Sequence, residues 1–401
     1  MENLLYLVHR IPFPPNKGDK IRSFNWLKGL SEHYHIYLGT FIDDPDDEKY
    51  VSVVKDYTVD TKICRINPKL AKVRSLSALL TGGPLTNPYY FDSEMQSWVV
   101  ETVKKQRISR VLVFSSSMAQ YVISLLGSDA QIVVDFVDVD SDKWQQYANR
   151  KSWPMSYVYS REAKTLFAFE KEIAKQVNAS TFVSEKEVES FIAQSGLENQ
   201  NILPLWNGVD TEYFSPSAQL ESLGEKTGPV ITFTGAMDYW ANVDSVVWFA
   251  KNVFGKLKSE FSDLRFYIVG SNPNPEVCTL SAIEGIEVTG KVKDIRPYIA
   301  SADLVVAPMT IARGIQNKVL EAMAMGKVVV TSPQGFEGLD AVPGDELLVA
   351  DGADKTIAMI RENLLNRNTQ MEERARACMV EKYSWKSSVD QLLTLLNSNS
   401  K

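Results

Sequence analysis

The sequence predicts two tandem α/β domains with parallel sheets. Short β-rich runs alternate with amphipathic helical stretches along the whole chain, the pattern of strand–helix–strand units. At 401 residues the chain is longer than one hydrophobic core usually grows. The alternation breaks between Asn207 and Gly228, where an Asn-Gly pair, Pro216 and a Ser/Glu-rich stretch read as a linker. Domains are therefore expected over residues 1–206 and 207–384, with a final helix in 385–401 that crosses back to the first domain. Each half is long enough for a doubly wound sheet. The strand ends of both sheets are expected to face a central cleft.

In the first half, strands are expected at Leu4–Val8, His35–Thr40, Thr61–Ile66, Arg110–Phe114, Ile132–Val137, Ser180–Val183 and Asn201–Leu205. Helices fit between them at Gly18–Glu32, Ser93–Lys105, Met118–Leu126 and Tyr157–Val177. In the second half, strands are expected at Val230–Phe233, Arg265–Val269, Ile286–Thr289, Asp303–Ala307, Val328–Thr331 and Leu347–Val349. Helices there fit Val243–Lys258, Ile295–Ala300, Gln316–Met325, Ala353–Asn366 and Trp385–Leu396.

Composition narrows the function. Hydrophobic content of 44% with 23% charged residues is ordinary for a globular enzyme. A net charge of −7 leaves no basic excess to neutralise a nucleic-acid backbone. No apolar run is long enough to span a bilayer, and the N-terminus lacks the basic start and cleavage site of a signal peptide. Cys64, Cys278 and Cys378 are far apart and without metal-ligand spacing, which fits a reducing cytoplasm. The three histidines, His9, His33 and His35, all lie near the N-terminus, so a histidine zinc site is not expected.

The stretch Ala312 to Gly326 carries the most chemical information. It reads as strand, glycine turn, helix, strand, with a helix opening at Gly314, Ile315 and Gln316. Free backbone N–H groups at such an opening face the end of the preceding strand, where anions bind in open α/β sheets. Arg313 and Lys318 add cations there, and Glu321 sits one turn beyond Lys318 on the same helix face. Two cations for a diphosphate and a carboxylate for a ribose make a nucleotide-sugar site. The competing reading is a solvated i,i+3 pair on a helix whose Val319, Leu320 and Met323 face the core.

A second feature is the segment from Lys62 to Arg74, with Lys62, Arg65, Lys69, Lys72 and Arg74 and no acidic residue, followed by Leu76, Leu79 and Leu80. It reads either as a solvated helix face or as a basic amphipathic patch for an anionic membrane surface.

Several blocks then follow one another in a specific order. They are Leu205-Trp206-Asn207-Gly208-Val209-Asp210 with Tyr213-Phe214-Ser215-Pro216, Phe233-Thr234-Gly235, Ile268-Val269-Gly270, Thr289-Gly290-Lys291-Val292, and the 312–326 stretch. In that order the chain resembles a family 4 glycosyltransferase of the two-Rossmann-domain, GT-B type. Pro12-Phe13-Pro14-Pro15-Asn16-Lys17-Gly18-Asp19-Lys20-Ile21-Arg22 and the Asp135–Trp144 segment resemble a bacterial subgroup associated with exopolysaccharide and exosortase loci.

The resemblance implies an acceptor-binding first domain and a nucleotide-sugar-binding second domain. It implies that Glu321 holds the donor ribose hydroxyls, and that Lys318 and Arg313 hold the diphosphate and stabilise the leaving phosphate without a metal. Gly290, Val292 and Lys293 match a loop that reads the base, Gly235 is placed beside the donor, and Gly18, in the first βα turn, would allow close backbone approach to donor phosphate or acceptor. Asp138 stands roughly where many relatives carry a sugar-contacting histidine, with Asp135, Asp140 and Asp142 close enough to compete for the role. Helix capping is the alternative for Asp138. Asn207–Asp210 reads as a turn, and Trp144 and Tyr147 as packing or an acceptor platform.

The implied reaction is retaining transfer of a sugar from a UDP- or GDP-sugar to a glycan or lipid-linked acceptor in exopolysaccharide biosynthesis. No tightly bound cofactor is expected. The implied location is cytoplasmic, peripheral at the inner face of the plasma membrane. Two departures stand out. Arg313 occupies the position where the family carries a first glutamate, and no basic residue lies between Gly235 and Lys251. The alternatives are a non-catalytic nucleotide-sugar-binding or scaffold protein, and a nucleotide-sugar 2-epimerase, which three N-terminal histidines disfavour.

Overall fold

The computed structural model describes residues 1–15, 17–198, 200–311 and 315–398. The chain divides into two compact units. One comprises Met1–Trp206 with the C-terminal segment from Ser388, and the other Asn207–Ser387.

The first unit holds a seven-stranded sheet of β1 (Glu2–Val8), β2 (Tyr34–Ile42), β3 (Asp60–Arg65), β4 (Arg110–Phe114), β5 (Gln131–Val137), β6 (Ala179–Phe182) and β7 (Ile202–Pro204). Its order is β3-β2-β1-β4-β5-β6-β7, with every pair parallel. The reversal lies between β1 and β4, where Leu5 pairs with both Tyr37 and Val111. Parallel strands covered on both faces need continuous apolar runs, and Leu4 to Val8 and Val111 to Phe114 are all buried.

The second unit repeats the plan with β8 (Val230–Thr234), β9 (Arg265–Val269), β10 (Ile286–Gly290), β11 (Leu304–Ala307), β12 (Val328–Thr331) and β13 (Leu348–Val349). The order is β10-β9-β8-β11-β12-β13, again parallel throughout. The reversal here lies between β8 and β11. One core joins Ile231 and Phe233 of β8 to Phe249, Phe254 and Phe266.

The final helix, Trp385–Asn397, begins in the second unit, where the Trp385 ring covers Gly208 so closely that a Cβ there would lie 2.5 Å from it. From Ser388 onward it packs in the first unit. Trp26 Nε1 donates to Ser388 Oγ (2.9 Å), and a Cβ on Gly29 would meet Val389 at 2.6 Å. No helix among the described residues is long and apolar enough to cross a membrane.

Candidate functional site

In an open α/β sheet the crevice at the carboxyl ends of the strands, beside the reversal, is where ligands enter. The second unit has a cavity of about 640 Å³ there. It is walled by Thr234 and Gly235 at the end of β8, Val269 and Gly270 at the end of β9, Lys291, Val292 and Ile295 after β10, and the segment Ile315–Lys318 with Glu321.

Two glycines shape its floor by close backbone approach. A Cβ on Gly270 would lie 1.6 Å from the Gly235 carbonyl oxygen, so only glycine fits. Gly235 has φ +156°, and a Cβ there would fall 2.7 Å from Asn242 Nδ2. Gly290 is different. Nothing lies within 4 Å of its would-be Cβ, but φ +66° places it in the left-handed region.

The helix Asn317–Ala324 presents Lys318 and Glu321 to this cavity. Val319, Leu320, Ala322, Met323 and Ala324 are buried on its core side. Gln316 precedes it in extended backbone, and its own side chain does not cap the helix. Lys318 is buried, and its ammonium donates to Asn242 Oδ1 (2.8 Å) and lies 5.1 Å from the Phe233 ring. Asn242 in turn donates to the Ala236 carbonyl (2.9 Å), which fixes the amide so that its oxygen meets the lysine.

Burial pulls the Lys318 pKa down to about 8, with Glu321 acting against it. Burial also pushes the Glu321 carboxyl up to about 7, with Lys318 acting against it. Each charge is incompletely compensated near neutrality. A bound diphosphate would hold Lys318 charged, and ribose hydroxyls would solvate an ionised Glu321.

The cavity thus brings together Gly235, Val292, Ile315, Lys318 and Glu321 of the expected site. Gly290 and Lys293 are not among its lining residues, although their neighbour Lys291 is. Arg313 and Gly314 lie outside the described residues. Asn207, read from the sequence as a turn residue, also lines the cavity. Tyr239 and Asn242 were not expected there. The stretch without basic residues after Gly235 contributes an amide that holds Lys318 rather than a cation of its own. Asn242, polar within the apolar helix Trp240–Phe249, is the one sequence signal that marked it.

Gly18 and Asp138 belong to the first unit. Gly18 opens the helix Gly18–Ser31, and no atom lies within 4 Å of its would-be Cβ. Asp138 follows Val137, whose φ of +68° is costly for a β-branched residue, and a register shift in the pairing of β5 with β6 accompanies it. Asp138 does not cap the following helix, Asp140–Arg150. That cap is Val139, without a side-chain hydrogen bond.

Lys143 Nζ instead donates to Asp138 (2.7 Å) and Asp140 (3.0 Å). Burial opposes the Lys143 charge, but the two carboxylates outweigh it and raise the pKa above the usual lysine value. Of the competing carboxylates, Asp135 is fully buried and paired with Arg22 at 2.9 Å, a structural role. Asp142 accepts from Ser190 and Gln194. Trp144 packs with Tyr147 and Tyr159.

The five cations of the basic segment separate in the structure. Lys62 pairs with Glu94 (2.7 Å), Arg65 with Glu48, and Arg74 donates to the carbonyls of Pro88 and Tyr89. Among the described residues no group of three His, Cys, Asp or Glu side chains is placed to hold a metal ion.

Residues 228–367, which include β8–β13 and most of the cavity wall, match the family model described as Glycosyl transferases group 1. The second unit is a glycosyl transferases group 1 domain. The chain is 25% identical over 258 residues to the uncharacterized glycosyltransferase MJ1069 of Methanocaldococcus jannaschii, covering 59% of this chain and 61% of that protein.

Among solved structures, a glycosyltransferase from Rickettsia africae aligns over 99% of this chain and 98% of its own, with a TM-score of 0.65 and 14% identity. Anabaena Alr3699/HepE in complex with UDP aligns over 99% of both chains, with a TM-score of 0.63 and 13% identity. At such identities the likeness establishes the fold. It is GT-B, two Rossmann-like α/β units, with the group 1 domain as the second.

Proposed function

We propose that this chain is a retaining glycosyltransferase that moves a sugar from a nucleotide-sugar donor to a glycan or lipid-linked acceptor. The observation that carries the reading is the pair Lys318 and Glu321, one helical turn apart on the wall of a cavity at the strand reversal of a group 1 domain. The Anabaena relative of the same fold holds UDP, which makes UDP-sugars the first donors to try and GDP-sugars the second.

In this reading Glu321 accepts hydrogen bonds from the ribose hydroxyls, and Gly235 and the 315–317 backbone face the diphosphate. Lys318, held by Asn242, stabilises the negative charge that grows on the leaving phosphate, so the step needs no metal. The acceptor hydroxyl attacks the anomeric carbon on the face the phosphate leaves. The carbon–phosphate-oxygen bond breaks, the glycosidic bond forms, and the hydroxyl proton passes to the departing phosphate. Asp138 is the first-unit residue proposed to contact the sugar. A lipid-linked acceptor in exopolysaccharide assembly would place the protein at a membrane face, the peripheral location the basic segment suggests.

The test is a transfer assay with UDP- and GDP-sugars and a bacterial glycolipid extract, following nucleoside diphosphate release and the product anomer by NMR. Release with one base class and an unchanged anomeric configuration is the expected result. Inversion would remove the retaining mechanism. Binding of donor with no release under any acceptor would favour the non-catalytic reading.

A further inference from the structure

The helix Pro68–Ser75 and its continuation Ala78–Thr81 are amphipathic the wrong way round for a globular protein. The residues facing inward are small: Ala71, Ser75 and Ala78 are buried. The large apolar residues face outward. Leu70 is 68% exposed, Val73 and Leu76 nearly as much, and Leu80 93%. An ordinary surface helix turns its large apolar side chains to the core and its polar ones to water. A contiguous outward apolar stripe of this kind marks a surface that meets something else.

The segment is held in place without using those side chains. Arg74 grips the carbonyls of Pro88 and Tyr89, and Arg161 grips those of Ala78 (2.7 Å) and Gly83 (3.1 Å). The buried Glu162 accepts from the N–H of Thr86 (3.0 Å) and its hydroxyl (2.7 Å). Backbone clamps fix the hairpin, and the leucines are left to solvent.

Arg161 lies on the helix Met155–Gln176, and Tyr157, one turn earlier on the same face, is 68% exposed. Trp153, just before that helix, is 81% exposed. The helix that clamps the hairpin through Arg161 thus also carries the exposed Tyr157, with the exposed Trp153 just before it, in the same unit.

Charge selects the occupant. No aspartate or glutamate occurs from Thr61 to Phe91, in a chain of net charge −7. Lys62, Arg65 and Arg74 are engaged by protein groups, whereas Lys69, Lys72 and Lys151 have no ion-pair partner among the described residues. Unpaired lysines flanking outward leucines, with Trp and Tyr at the margin, match the layers of an anionic bilayer surface. Lysines meet headgroup phosphates, aromatics sit at the interface, and leucines reach the acyl boundary.

We propose that the Pro68–Thr81 segment and the Trp153–Tyr157 tip form a membrane-docking surface for anionic lipid. The assignment deepens the peripheral location proposed for this enzyme and rests on it, but not on the chemistry of the donor cavity.

Flotation of the full chain with vesicles of equal parts phosphatidylglycerol and phosphatidylethanolamine, against pure phosphatidylcholine, tests it. Wild type should float with the anionic vesicles only. Lys69→Glu with Lys72→Glu should lower partitioning at least ~20-fold at low salt. Leu80→Ser with Trp153→Ser should lower it about tenfold and also remove the fraction that survives high salt. All substituted side chains are exposed, and nucleotide-sugar-induced thermal stabilisation of each variant should stay at the wild-type value. That separates loss of docking from loss of the donor site.

Flotation of the variants equal to wild type would overturn the proposal. So would a wild-type dimer, seen by light scattering, that the Leu80→Ser variant dissociates, because the stripe would then be a protein interface.

Discussion

The two units share one topology and fill it in opposite ways. In both, the sheet reverses beside its first strand, and the helix that follows that strand reaches toward the reversal. In the first unit that helix delivers Arg22, which lies against the Trp26 ring and pairs with Asp135 while also donating to the Leu205 carbonyl (2.6 Å). Asp135 accepts in addition from Thr181 (2.7 Å). Arg22 and Asp135 are thus both answered by protein groups. In the second unit the corresponding helix delivers Asn242, a neutral amide, to a lysine, and leaves a cavity with a glutamate on its wall. A fold-level resemblance therefore says little about which crevice binds. The incompletely answered charges do.

Four changes would break or sharpen this contrast. The largest effect is expected from Arg22→Ala, which strands a buried carboxylate and should cost about 3–5 kcal/mol in urea unfolding. A loss below about 1 kcal/mol would mean that the first crevice is not the closed, structural one. Next, Glu321→Ala should lower transfer activity at least ~100-fold, about 2.7 kcal/mol of transition-state stabilisation, with folding retained.

Third, donor affinity should be bell-shaped in pH. Below about 7 Glu321 takes up a proton and loses an acceptor for ribose. Above about 8 Lys318 loses its charge for the diphosphate. Calorimetric titrations from pH 5.5 to 9.5 should show both limbs, about tenfold per unit at the extremes, and Glu321→Gln should erase the acid limb alone. The smallest change is expected from Asp138→Asn. Lys143 already neutralises that carboxylate, so a loss of only about threefold in activity is expected. A loss beyond about 100-fold would place Asp138 at the reacting centre.

Much of this was legible in the sequence because parallel strands buried on both faces read as unbroken apolar runs. Arg110–Phe114, Arg265–Val269 and Val328–Thr331 coincide with their expected bounds, and the other strands agree to within one or two residues. The helix Thr369–Lys382 was not legible, being mostly polar with little apolar period to mark it. At the site, Lys318 and Glu321 could be read because their spacing places both on one face of one helix. Asn242 stands out in the sequence only as a polar residue in an apolar helix, and its partnership with Lys318, 76 positions away, could not be read there.

The basic segment shows the same limit. Its five cations are visible in the sequence, but only the fold shows that three of them are engaged. The inverted placing of Ala71 inward and Leu70 outward likewise follows from which face the backbone clamps hold.

The most direct test of the central claim is a thermal-shift panel of UDP-, GDP-, ADP- and dTDP-sugars on the wild-type chain and on Glu321→Ala. Stabilisation of wild type by one nucleotide class, abolished in the variant, is the expected result. Stabilisation that persists undiminished in Glu321→Ala would show that the nucleotide binds elsewhere than the second unit's cavity. The absence of any shift with a folded wild-type protein would contradict the nucleotide-sugar reading itself.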